Sequence, residues 1–331
     1  MIYDLAIYST KYFAPTIVIL GVFGNLFGLI VISKKKLKKI GPQIAYIALF
    51  ISDFFNFILI FQSYTLVEFN INITSFSEFA CKAYWYLNFA LGPISPMLSV
   101  YISIERYISI AHLTKKHFLL NKKIQFAFII AITMFNFILY IPFSINQYLL
   151  VIDYNQTEIA FCYMDPYLNY IYNIIDLINR VILPFLLMII FSILIIYTIF
   201  SSRRRITSTN AQNNRSFRRD IRFSLIIILL NISFIVLSLP VTLLVFVASQ
   251  SDTVLYVNLF YFFNYLYFFS FCTNFYLMFA VNSLFRGGFY SFFICSNKTQ
   301  TRRQVIDEPN IISTKRNVTP VKSGAKESRR E

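Results

Sequence analysis

The chain has 331 residues, of which 57% are hydrophobic and only 14% charged, with a formal net charge of +15 and a mean hydropathy of +0.61. Soluble globular chains carry about 25% charged residues, and no core of this length buries so much apolar surface. A disordered chain, a coiled coil and a small disulfide scaffold are thereby excluded, a soluble enzyme is disfavoured, and lipid is the expected solvent.

In chain order, stretches free of Asp, Glu, Lys and Arg run over residues 12–33, 83–104, 124–152, 181–202, 223–251 and 253–285, and residues 40–67 contain the single charge Asp53. Each suffices for the roughly 20 apolar residues that cross a bilayer core of about 30 Å. The sequence therefore predicts an all-α membrane protein of seven spans. It shows none of the ten-residue alternation of outer-membrane barrels and no internal repeat of the kind found in inverted-repeat transporters. Residues 1–11 read as a short N-terminal segment, 12–296 as the membrane domain and 297–331 as a polar, disordered tail. No small-residue cleavage pattern follows the first span, which reads as an uncleaved anchor.

Of the 30 Lys and Arg residues, only Lys11, Lys82 and Arg180 fall outside the tail and the loops after spans one, three and five. By the positive-inside rule the N-terminus lies outside and the C-terminus inside. The basic balance matches this asymmetry and contact with anionic lipid, and gives no reason to invoke nucleic acid. In this topology Cys81 and Cys162 both face the oxidising side, where either a disulfide or two free thiols would stand. Cys272 lies within span seven. Cys295 follows an amphipathic stretch past that span, where palmitoylation and an unmodified thiol are both open. The sequons at Asn72 and Asn155 fall in outside loops and are glycan acceptors by topology, whereas Asn214, Asn231, Asn297 and Asn317 are not.

Ionisable groups inside a membrane mark function by default. Here they are Asp53, Glu105-Arg106 at the inner end of span three, Asp176 and Arg180 at span five, and Asp220 opening span six. Span one carries Gly24-Asn25, and span two Leu49-Phe50-Ile51-Ser52-Asp53 in an LxxxD pattern. Span three runs from Cys81 to Glu105-Arg106-Tyr107. Span five has Pro184, and span six has Phe234 and Pro240. Span seven has Asn274-Phe275-Tyr276-Leu277-Met278, followed by Phe285-Arg286. With these motifs, over all seven spans, the chain resembles the rhodopsin-like (class A) G protein-coupled receptors. It looks most like invertebrate peptide receptors of the FMRFamide-receptor type. Several motifs depart from the family's pattern. The only Trp is Trp85, span six reads Leu237-Ser238-Leu239-Pro240 in place of CWxP, and span seven lacks the Pro and Tyr of NPxxY. Ser192 stands where the family often has a tyrosine.

The resemblance implies a plasma-membrane receptor with a short amphipathic eighth helix and a bridge at Cys81. It implies an extracellular ligand such as a peptide and a heterotrimeric G protein, with arrestin and a kinase acting at the tail. Glu105, Arg106, Tyr107 and Asp220 would form the G-protein switch, with Arg106 and Asp220 paired in one state. The bland alternative is a snorkelling arginine and an unrelated capping carboxylate. Asp53 resembles the family's sodium-site aspartate, with Ser95 and Asn274 as neighbours and Asn25 linking helices. Its alternative is a protonated acid hydrogen-bonded to Asn25 and Asn274. Asp176 and Arg180, one turn apart, either satisfy each other or line a ligand pocket with Asn88. Asn88 occupies the place of the amine receptors' aspartate, which disfavours biogenic amines. Span seven has no Lys for a retinal Schiff base. Nothing supports catalysis, since His112 and His117 have no metal-ligand spacing and no phosphate-binding loop is present. A seven-span transporter or channel, and a receptor with a decayed switch, stay open as other classes.

Overall fold

A computed structural model describes residues 9–34, 43–62, 71–111, 121–154, 157–206, 211–247 and 254–294. The chain divides into two compact units, Met1–Tyr290 and Ser291–Glu331. The first holds the helical bundle; of the second, only the last residues of a helix are described. The predicted tail, Cys295, His112, His117 and Asn155 lie outside the described residues.

Among those residues, six helices are long and apolar enough to cross a membrane: Lys11–Ile32, Gln43–Ile60, Glu78–Ala111, Lys122–Ile145, Pro166–Ser201 and Ser224–Leu244. Asn258–Val281 makes the seventh once it is joined to Ser283–Phe292, from which it is bent by 97°. That bend has a local cause. The Asn282 carboxamide accepts hydrogen bonds from the backbone N–H groups of Leu284 (3.0 Å) and Phe285 (3.2 Å), capping a new helix, Ser283–Ile294. Phe285 is fully buried and ties that helix's first turn into the bundle core.

Several spans differ from the charge-free windows, spans three, four and five among them. The fourth window, 124–152, is too long: its helix ends at Ile145. Gln147–Tyr154 is strand β1, paired antiparallel with β2, Thr157–Met164, with Leu149 opposite Cys162. A short apolar, β-branched run reads equally as helix or strand, and here pairing with the next segment decides. The fifth helix starts fifteen residues before its window, at Pro166, where the Asp165 side chain accepts from the N–H of Tyr167 at 2.9 Å. It then passes through a π-helical turn, Ile178–Ile182, before running on as Leu183–Ile206. Span three is two helices, Glu78–Leu91 and Ile94–Ala111, joined through Gly92-Pro93. Pro93 cannot donate the N–H that a continuous helix needs.

Span one packs closely because its glycines leave space for aromatic rings. A Cβ on Gly21 would collide with the Phe57 ring, and one on Gly28 with the Phe50 ring. Both rings are fully buried, so spans one and two approach backbone to ring. At the far end of that pair, the Gln43 amide donates to the Ile32 carbonyl at 2.7 Å.

Candidate functional site

At one end of the bundle a disulfide joins Cys81 of span three to Cys162 of β2. It draws the hairpin to the mouth of a cavity of about 1050 Å³. The wall of this cavity is amide-rich and aromatic. Six Asn (56, 72, 88, 169, 173 and 264) and two Gln (62 and 147) line it, together with rings such as Tyr84, Trp85, Phe89 and Tyr172. Phe89 and Tyr172 lie 4.0 Å apart between ring centroids and tie span three to span five.

One ion pair faces this space. The Arg180 Nε and Nη2 groups donate to Asp176 Oδ1 at 3.1 and 3.0 Å. The Tyr140 hydroxyl donates to the same oxygen at 3.0 Å, and the Asn179 amide donates to Asn136 Oδ1 at 2.8 Å and to the Tyr140 hydroxyl at 3.3 Å. Asn179 and Arg180, adjacent in sequence on the π-helical turn, both join this cluster, Asn179 buried and the Arg180 side chain 14% exposed. Arg180 also reaches the Asn88 carbonyl at 3.5 Å, and a Cβ on Gly92 would collide with its guanidinium. The break in span three is therefore the notch that receives the arginine. Asp176 and Arg180 satisfy each other and also line the cavity wall. Asn88 sits beside them, with its amide 3.5 Å from the Tyr84 hydroxyl.

Deeper in the bundle, Asp53 is fully buried and its Oδ2 accepts from the Asn274 amide at 2.7 Å. Ser95 faces the same carboxylate, while Oδ1 receives no hydrogen bond. The bond from Asn25 to Asp53 is not made. Asn25 donates instead to the Gly21 carbonyl (2.9 Å) and the Phe271 carbonyl (3.4 Å), linking spans one and seven through backbone. A sodium ion takes oxygen ligands, and a carboxylate oxygen without a donor beside a serine hydroxyl fits it.

At the opposite end, Glu105 and Arg106 are 2% and 3% exposed. Glu105 Oε1 accepts from the Gln125 amide of span four at 2.6 Å, a partner the sequence reading did not identify. Tyr107 packs on a cluster of five buried isoleucines, 110, 195, 199, 221 and 228. The side chain of Asp220 lies outside the described residues, and with it the expected pair with Arg106. Between the two ends, Asn231 of span six bridges Ser103 of span three and Ser192 of span five. Sequence reasoning missed this bridge, as it missed Tyr140, Asn136 and Asn179, because all of these side chains are uncharged. Asn72 caps the turn Ile73–Ser75, and its carboxamide oxygen accepts from the Thr74 hydroxyl of its own sequon at 2.7 Å.

The family described as 7 transmembrane receptor (rhodopsin family) matches residues 24–276. No individual curated protein matches the chain.

Proposed function

We propose that this chain, which belongs to the rhodopsin family of seven-transmembrane receptors, is a receptor whose extracellular ligand is a peptide and whose cytosolic partner is a heterotrimeric G protein. As a member of that family it is a multi-pass membrane receptor rather than an enzyme, and a transporter or channel is set aside. The cavity at the disulfide end carries the peptide reading. Its walls offer eight carboxamides, each a donor and an acceptor, and aromatic rings that take large side chains. Its Asp176–Arg180 pair is neutral as a unit. An isolated ammonium would meet Arg180 and an isolated carboxylate would meet Asp176. A chain of neutral amides finds partners at both.

In this reading the disulfide end faces outside and the Arg106 end faces the cytosol, as the basic loops require. The ligand shifts a two-state bundle by binding one state more tightly, and Arg106, released from its buried position, meets the G protein with Glu105, Tyr107 and Asp220 around it. Asp53, Ser95 and Asn274 would hold a sodium ion, which would supply a positive charge to the buried carboxylate, and Asn25 braces the same region. The Asn72 and Asn155 sequons are glycan acceptors and Cys295 a palmitoylation site, while the tail takes a kinase and arrestin. GTP-analogue loading on co-expressed G proteins tests the reading, with and without a pool of amidated neuropeptides. A peptide-dependent rise that is lost in Arg106→Ala is the expected result. Flat signals from surface-expressed wild type and variant across every G-protein class would overturn it.

A further inference from the structure

The Asn231 carboxamide has two N–H groups, and each goes to a different helix. One donates to the Ser103 hydroxyl of span three at 3.0 Å, the other to the Ser192 hydroxyl of span five at 3.0 Å. Ser103 in turn donates to the Ser99 carbonyl of its own helix at 2.9 Å, so its hydroxyl is used in both directions. Ser103 is 0% and Asn231 1% exposed. Both are closed off from bulk solvent, and an unmade bond there would keep its full desolvation cost.

The bridge sits directly above the isoleucine cluster. Ile110 lies two turns beyond Ser103, Ile195 and Ile199 lie one and two turns beyond Ser192, and Ile228 lies one turn from Asn231. Helical spacing puts each isoleucine on the face that carries the polar group. Spans three, five and six thus share one seam, a polar layer above an aliphatic plug, and Arg106 is sealed beside it. Outward movement of span six would take both bonds from Asn231 at once and open the plug beneath.

We propose that Asn231 is a positioning residue that clasps span six to spans three and five and sets how often the unliganded receptor opens at its Arg106 end. Ser192 accordingly has a partner of its own in this chain. The inference rests on the receptor reading for its consequence, although the clasp itself needs neither ligand nor G protein to be measured.

The test is a distance measurement on the full-length receptor in lipid nanodiscs. Spin labels are placed on cysteines introduced at Ala111 and Leu225, both exposed, in a Cys295→Ser background. Asn231→Leu removes both bonds at similar volume, and the fraction of long distances is expected to rise roughly five- to tenfold without ligand. Ser192→Ala, a smaller change that keeps the fold, gives a partial rise. The exchange Ser103→Asn with Asn231→Ser restores a bond between spans three and six and returns the distribution toward wild type, which general loosening of the bundle would not do. Unchanged distances in Asn231→Leu and Ser192→Ala, or an exchange no better than Asn231→Leu, would overturn the clasp. Longer distances with flat GTP-analogue loading would uphold the clasp and break the coupling reading instead.

Discussion

The two ends of the bundle solve the same packing problem with different chemistry. At the disulfide end, spans two, three, five and seven and the hairpin, with their aromatic rings and the Asp176–Arg180 pair, surround about 1050 Å³ that stays unfilled. At the Arg106 end, spans three, five and six close on five isoleucines beneath the bridge that Asn231 makes to Ser103 and Ser192. Stiff rings and forked side chains prop helices apart, whereas branched aliphatic chains fill the space between them. A cavity with bonding capacity to spare suits a ligand. A filled aliphatic seam suits a gate that opens as a unit.

This contrast is most exposed to failure at the ion pair. Asp176→Leu leaves the Arg180 guanidinium without its carboxylate in a largely buried setting, and stability should fall by about 3–5 kcal/mol, read as the thermal midpoint of the purified receptor. Replacing Arg180 by Met in the same chain should recover most of that loss while peptide binding stays absent. Equal stability of the single and double variants would show that the pair is not a unit.

Tyr140→Phe removes one hydroxyl from the same carboxylate and should cost about 1.5–3 kcal/mol, with ligand affinity reduced and unstimulated signalling unchanged. Gly92→Ala tests the notch. Its new Cβ displaces the guanidinium, at about 1–3 kcal/mol, and a competition assay should show weaker peptide binding. Gly287→Ala, where a Cβ meets nothing within 4 Å, is the matching control and should leave binding unaltered. The smallest effect belongs to the opposite end. Ile195→Val trims a fully buried methyl group from the plug, at about 0.5–1.5 kcal/mol, and should raise unstimulated GTP-analogue loading without changing peptide affinity. A loss of affinity there, or a rise in basal loading from Tyr140→Phe, would erase the distinction between the ends.

Much of this architecture is legible before any coordinates. Lipid tolerates few charges, so the gaps between charges mark the spans, and Cys81, Asp53 and Arg106 locate the ends and the middle. Contacts between segments are what the charge pattern leaves out. The run 147–152 carries no charge, yet it is strand β1, because Thr157–Met164 is within reach to pair with it. The helical part of span five before its window contains Asp176 and Arg180, charges that pair with each other one turn apart and share the Tyr140 hydroxyl of span four. Asn231 presents itself in the sequence as a sequon. Its role emerges only when two serines from other spans stand 3.0 Å away. Neutral polar residues carry no spacing signal of their own, and most of the hydrogen-bonded framework of the site is made of them.

The separation of ligand capture from signalling is the central claim, and peptide binding to the Arg106→Ala receptor tests it most directly. Binding at wild-type affinity, together with lost GTP-analogue loading, is the expected result. A loss of binding as large as that caused by Asp176→Leu would contradict the claim, since it would make the two ends one site.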